Sequence, residues 1–172
     1  MPEKPRRSFL KDKEAKTLLS QASEKLKLNM EQILGKKARV EVTETEFGKI
    51  FFVNGEPLLA EVSGNIFPTL LFNKFFTVAP KVVVDMGAIP HVCNGANVMA
   101  PGIRRLEGEF KKGDFVSVVD EKYGKVLAVG ETFCDLAGAK EVKQGGVVKN
   151  VHFVGDKIWD FIRESSITAS GD

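Results

Sequence analysis

Apolar positions along this chain repeat with two different periods, and the change from one to the other divides it. Between Lys11 and Leu28, the residues Ala15, Leu18, Leu19, Ala22 and Leu26 return to one side at helical spacing, which predicts an amphipathic helix. Lys13, Lys16, Glu24 and Lys25 suit its solvent side. From Ala38 to Thr45 the period becomes two, with Val40 and Val42 alternating with Arg39, Glu41 and Thr43, as in a half-buried strand. Ile50-Phe51-Phe52-Val53 predicts another strand. Asn54-Gly55 supplies residues that accept positive φ for a tight hairpin, and Leu58 to Val62 reads as the returning strand. Phe67 to Phe76 is aromatic and aliphatic, with Pro68 suited to the first turn of a short helix. Ala79-Pro80 marks a domain boundary.

The second half is richer in strands. Val82, Val83 and Val84 favour one strand, which Gly87 is expected to break at positive φ. Ala88 to Cys93 fits one or two helical turns, Asn94-Gly95 is a turn, Asn97-Val98-Met99 a second strand and Pro101-Gly102 a further turn. Phe115 to Val119 and Val126 to Gly130 flank a turn at Tyr123-Gly124, and Gly145-Gly146 leads into a strand from Val147 to Val154. A closed or partly closed barrel would satisfy their edges. Ile158, Trp159, Phe161 and Ile162 are expected to pack as a closing element over it, and Ser165 to Asp172 reads as a loose polar tail.

Composition adds bounds. At 172 residues and 43% hydrophobic content the chain suits one large or two small domains with packed cores. No apolar run reaches the roughly 20 residues needed to span a bilayer, and no apolar signal core follows the basic amino terminus, so a cytoplasmic location is expected. Net charge is only +2: residues 1–80 hold 13 basic and 10 acidic side chains, residues 81–172 hold 12 and 13. Affinity for nucleic acid would therefore need a local patch and shape recognition. Arg104-Arg105 is the obvious patch, with Lys111-Lys112 nearby and Glu107 and Glu109 placed to offset it.

Catalytic signatures are sparse. Cys93 and Cys134 lack a CxxC partner and read as reduced, packed thiols, so neither zinc nor a disulfide framework is indicated. His91 and Cys93, two residues apart on a short helix, would point about 200° apart, which disfavours a dyad. Asp85 fits a helix cap better than a catalytic carboxylate. There is neither a GxxxxGK[ST] loop nor an HExxH motif.

The stretches Val84-Asp85-Met86-Gly87-Ala88-Ile89, Asn94 to Ile103, Phe110-Lys111-Lys112-Gly113-Asp114-Phe115-Val116 and Leu127-Ala128-Val129-Gly130 occur in an order that resembles the PUA domain, an RNA-binding module named for pseudouridine synthases and archaeosine transglycosylases. With Phe67-Pro68-Thr69-Leu70 before it and Val151 to Trp159 after it, the chain is similar to the malignant-T-cell-amplified-sequence family, as an archaeal-type member. The resemblance implies an α+β fold: an amino-terminal α+β domain over residues 1–79, a PUA β-barrel over residues 80–164 and a flexible tail over residues 165–172. It implies a non-catalytic, cofactor-free RNA-binding protein of translation. The expected partners are the tRNA acceptor end or rRNA, the small ribosomal subunit in initiation, reinitiation or recycling, and a protein with an initiation-factor-like fold. An accessory subunit or small enzyme of tRNA or rRNA modification is the alternative. The RNA-binding residues expected are Asn94, Gly95, Ala96, Asn97, Pro101, Gly102, Ile103, Arg104 and Arg105, with backbone amides and asparagines on RNA edges and arginines on phosphates. Phe133 or Phe153 could stack a base or serve the core.

Overall fold

The structure, a computed structural model, describes residues 5–170, with side chains through Ser166. Its packing divides the chain into two units: residues up to Phe75 together with those from Phe161 onward, and residues Phe76 to Asp160.

The first unit opens with β1 (Arg7–Phe9) and α1 (Asp12–Leu26). Ala15, Leu18, Ala22 and Leu26 of α1 are buried as their spacing requires, whereas Leu19, turned about 100° from Leu18, is only half-buried. Then come α2 (Met30–Leu34), β2 (Val40–Thr45), β3 (Gly48–Val53), β4 (Glu56–Val62) and β5 (Asn65–Pro68). The five strands form one sheet in the order β1-β2-β3-β4-β5, every pair antiparallel. Asn54 and Gly55, at φ 52° and 87°, make the expected hairpin between β3 and β4. Pro68 does not begin a helix. It ends β5 opposite Leu59, on an edge strand where a missing N–H is tolerated, and the helix α3 (Asn73–Val78) starts five residues later.

The second unit holds β6 (Lys81–Val84), a 3-10 turn (Met86–Ala88), α4 (Ile89–Val92), β7 (Val98–Met99), a second 3-10 turn (Ala100–Gly102) and β8 (Ile103–Glu107). It continues through β9 (Phe115–Asp120), β10 (Val126–Thr132), α5 (Leu136–Glu141) and β11 (Gly146–Phe153). The sheet order β7-β11-β10-β9-β6-β8 places β7 and β8 at opposite edges, yet only Ala100–Gly102 separates them in the chain. Laid flat, six strands would set those edges about 24 Å apart. From Met99 to Ile103 even a fully extended chain reaches roughly 14 Å. The sheet must therefore curl into a half-barrel. Its concave side is filled by Val82, Val84, Val116, Val118, Ala128 and Val148, all at most 1% exposed.

Three expectations need correction here. Gly87 is not at positive φ; strand β6 ends because the Asp85 carboxylate accepts a 2.8 Å bond from the Ala88 N–H and starts a helical turn. The last helix, α6 (Lys157–Ser170), is longer than expected and takes in residues 165–170; Ser165 Oγ donates back to the Phe161 carbonyl at 3.0 Å. Residues 171 and 172 lie outside the described residues. Phe161 and Ile162 belong to the first unit, where Phe161 meets the Phe47 ring edge-on at 6.2 Å, so they do not close the barrel. Among the described residues no helix is long and apolar enough to cross a membrane.

Candidate functional site

Where β6 ends, the chain folds back on itself twice and leaves a cleft of about 500 Å³ on the second unit. One wall is the capped turn of Asp85, Gly87 and Ala88, continued by His91 and Val92; the other is Ala96 to Met99 with Pro101 and Gly102. The walls are tied at the base, since the Asp85 N–H donates to the Gly102 carbonyl at 2.9 Å. Gly95, at φ 93°, lies against the edge of the Phe153 ring, so that a Cβ there would come within 3.2 Å of it. Phe153 is thereby engaged beneath the loop and with the core, whereas Phe133 keeps 44% of its surface exposed.

Asn150 of β11 holds the loop. Its Nδ2 donates to the carbonyls of Val92 (2.9 Å) and Ala96 (3.0 Å), while its backbone N–H donates to Asn97 Oδ1 at 2.9 Å. Both side-chain amides are thus oriented: Asn97 has its oxygen engaged and lines the cleft with a donor Nδ2 that no bond to Asn150 uses. Replacing Asn150 with alanine removes the two bonds donated to the Val92 and Ala96 carbonyls. The expected result is a loss of about 1–2 kcal/mol. Amide exchange at Gly95 and Ala96 should quicken, which hydrogen exchange measures directly.

Of the residues picked from sequence, Ala96, Asn97, Pro101 and Gly102 come together in the cleft. Asn94 and Gly95 form the adjoining turn, and half-buried Ile103 packs on the barrel core. The arginines sit side by side at a β-bulge in β8, between Ile103 and Leu106, which both pack on the core. Both are more than half exposed and each has acidic neighbours: Arg104 lies 3.9 Å from Asp85 and 3.4 Å from Glu121, Arg105 3.4 Å from Glu107. Sequence reasoning missed Gly87, Ala88, Val92, Val98 and Met99 as lining residues, and assigned His91 only to the surface. All lie within the same glycine-punctuated stretch, so its whole length was the signal.

The two thiols, neither of which lines the cleft, offer little for covalent chemistry. Burial pushes the thiol of Cys93 up, although Lys125 opposes it, and burial followed by the Asp135 charge does the same for Cys134; neither favours a reactive thiolate. Among the described residues no three His, Cys, Asp or Glu side chains are grouped to hold a metal ion. The cleft itself presents glycine-exposed backbone, an oriented amide and an exposed imidazole on a mostly apolar lining, an arrangement suited to recognition.

The sequence matches the PUA domain over residues 80–154 and a domain of unknown function, DUF1947, over residues 6–73. An uncharacterised protein of Methanocaldococcus jannaschii is 39% identical over 157 residues, 91% of this chain and 96% of that one. Translation machinery-associated protein 20 of Saccharomyces cerevisiae is 31% identical, covering 77% of both chains, and malignant T-cell-amplified sequence 2 of Mus musculus 32%, covering 76% and 75%. A hypothetical protein of Pyrococcus horikoshii has a crystal structure similar to this one, with TM-score 0.76 and 35% identity over 91% of this chain and 99% of that one.

Proposed function

We propose, on the premise that this chain belongs to the family of the malignant T-cell-amplified sequence proteins and translation machinery-associated protein 20, that its PUA cleft holds a tRNA acceptor end while the protein works on the small ribosomal subunit. An RNA-binding role related to translation follows from the PUA domain and from relatives named for the translation machinery. The finer reading is supported by one observation above all. The cleft joins bare backbone at Gly87 and Gly102 to the oriented Asn97 amide, a combination suited to the edges and sugar-phosphate of an unpaired terminus. The amino-terminal domain supplies ribosome or partner contacts in this reading, including a protein of initiation-factor-like fold. The binding role needs no cofactor and no catalytic group.

Binding of tRNA with an intact acceptor end, compared with tRNA trimmed of its terminal CCA, tests the proposal. Preference for the intact end supports it; equal affinity removes the acceptor end from the cleft. Turnover of unmodified tRNA or rRNA by the purified chain would instead favour a modification enzyme.

The different acidic neighbours of the two arginines refine what salt should do. Arg104 lies beside Asp85 on the cleft wall, so Arg104→Ala is expected to flatten the log–log salt dependence of tRNA binding by roughly 0.7. Arg105→Ala, whose guanidinium pairs with Glu107 and not with the cleft wall, should leave the slope unchanged. Both variants should melt within about 0.5 kcal/mol of the parent, since exposed ion pairs contribute little. Equal slopes for Arg104→Ala and the parent would place the phosphates elsewhere.

A further inference from the structure

We propose that the first unit carries a second RNA-binding surface, a basic groove beside β1 that takes a single-stranded segment. Lys16, Lys36, Lys37 and Arg39 would meet its phosphates and Phe9 would stack one base. This inference rests on the reading of the chain as an RNA-binding protein and adds a site outside the PUA domain.

Two hollows, of about 630 and 600 Å³, adjoin along α1 and share Lys16, Leu19 and Lys36. Four cations line them against two carboxylates, Asp12 and Glu31. Among the described residues none of the four cations forms a carboxylate ion pair, in contrast to Arg104 and Arg105, which both do. Their charge is therefore available to an incoming anion. Charge alone would suit any polyanion, and Phe9 narrows the choice. It remains 61% exposed although β1 is locked to β2 by the pairing of Phe9 with Glu41. Arg39 holds its guanidinium 5.0 Å from the centre of the Phe9 ring, and the Arg39 N–H donates to Asn54 Oδ1 at 3.0 Å. A flat ring fixed at the rim of a cationic groove meets the two needs of single-stranded nucleic acid, stacking and neutralisation. An acidic peptide has no use for the flat face, and one ring is too little apolar surface for a membrane.

The test uses the full chain and a labelled, unstructured 12-nucleotide RNA, titrated at several salt concentrations. The double variant Lys36→Ala/Lys37→Ala should flatten the log–log salt slope by about 1.4 and weaken binding. Phe9→Leu should raise Kd about tenfold or more while keeping the slope, because stacking and not charge is removed. Both changes are at exposed positions, and thermal melting confirms that the variants remain folded. A parental Kd and slope in the folded double variant overturns the groove, as does a polyglutamate peptide that binds as tightly as the RNA. The cleft variant Gly102→Val separates the two readings. If it abolishes the preference for an intact acceptor end while the groove variants change nothing, the groove alone is wrong. If the parent binds neither RNA, both readings fall.

Discussion

Valine in place of Gly102 is expected to lower affinity for tRNA with an intact acceptor end by about a hundredfold without unfolding the barrel. The backbone at Gly102 lies outside the left-handed region, so a side chain there carries no conformational penalty. A Cβ would meet the Ala88 Cβ at 3.6 Å, an ordinary contact, which makes Gly102→Ala the control: it should bind within about tenfold of the parent. Valine adds two methyl groups that narrow the space between Pro101-Gly102 and the Gly87-Ala88 wall. A ligand kept from both walls loses two or three hydrogen bonds of about 1 kcal/mol each, and a hundredfold corresponds to roughly 2.7 kcal/mol. Fluorescence titration with intact and trimmed tRNA measures it. A folded valine variant that still discriminates between them with parental affinity would show that the cleft is not the site.

The largest effect on stability is expected at Asp156. Its Oδ2 lies 2.8 Å from Nδ1 of fully buried His152 and accepts the Phe153 N–H, while Oδ1 accepts the Trp159 N–H at 2.7 Å and caps α6. One carboxylate thus fixes the end of β11 and the start of the helix. Asp156→Ala removes a cap, at about 1 kcal/mol, and strips a buried imidazole of this partner, at about 1–3 kcal/mol. The total, about 2–4 kcal/mol, corresponds to a melting temperature lower by on the order of 10 °C. Burial by itself would raise the carboxyl pKa, but the bond and charge of His152, with the Trp159 and Phe153 N–H groups, outweigh it and hold Asp156 below the usual carboxylate range. A depressed folded pKa gives a contribution that is complete above the unfolded value of about 3.9 and is lost as pH falls through the lower folded one. The difference between parent and Asp156→Ala should accordingly shrink below about pH 4. Chemical denaturation at pH 7 and pH 3 measures it, and a constant difference would exclude the ionised cap as its source.

Local chemistry was legible in the sequence wherever one element decides it. Helix α1 announced itself because Ala15, Leu18, Ala22 and Leu26 share a face, and the hairpin at Asn54-Gly55 because few other residue pairs accept two positive φ angles. Tertiary pairing was not legible in the same way. The strand Arg7–Phe9 is too short to show a period and exists because β2 offers it an edge; Pro68 reads as a helix start until β4 is seen to lie beside it. The glycine-rich stretch pointed to the cleft and to four of its lining residues. Asn150 escaped notice because its partners, Val92, Ala96 and Asn97, lie 53 or more residues away. The acidic neighbours of Arg104 were out of reach for the same reason: only the fold sets Asp85 and Glu121 beside it.

The Ala100–Gly102 turn has a mechanical side. It is the seam where the half-barrel is joined by covalent chain between two edges, and it is also part of the cleft wall. Its Gly102 carbonyl accepts from the Asp85 N–H of the facing wall, so the seam and the base of the cleft meet at one hydrogen bond. A molecule seated against Pro101-Gly102 acts as a wedge stop, so occupancy of the cleft stiffens the seam, and whatever loosens the seam hastens release of the occupant.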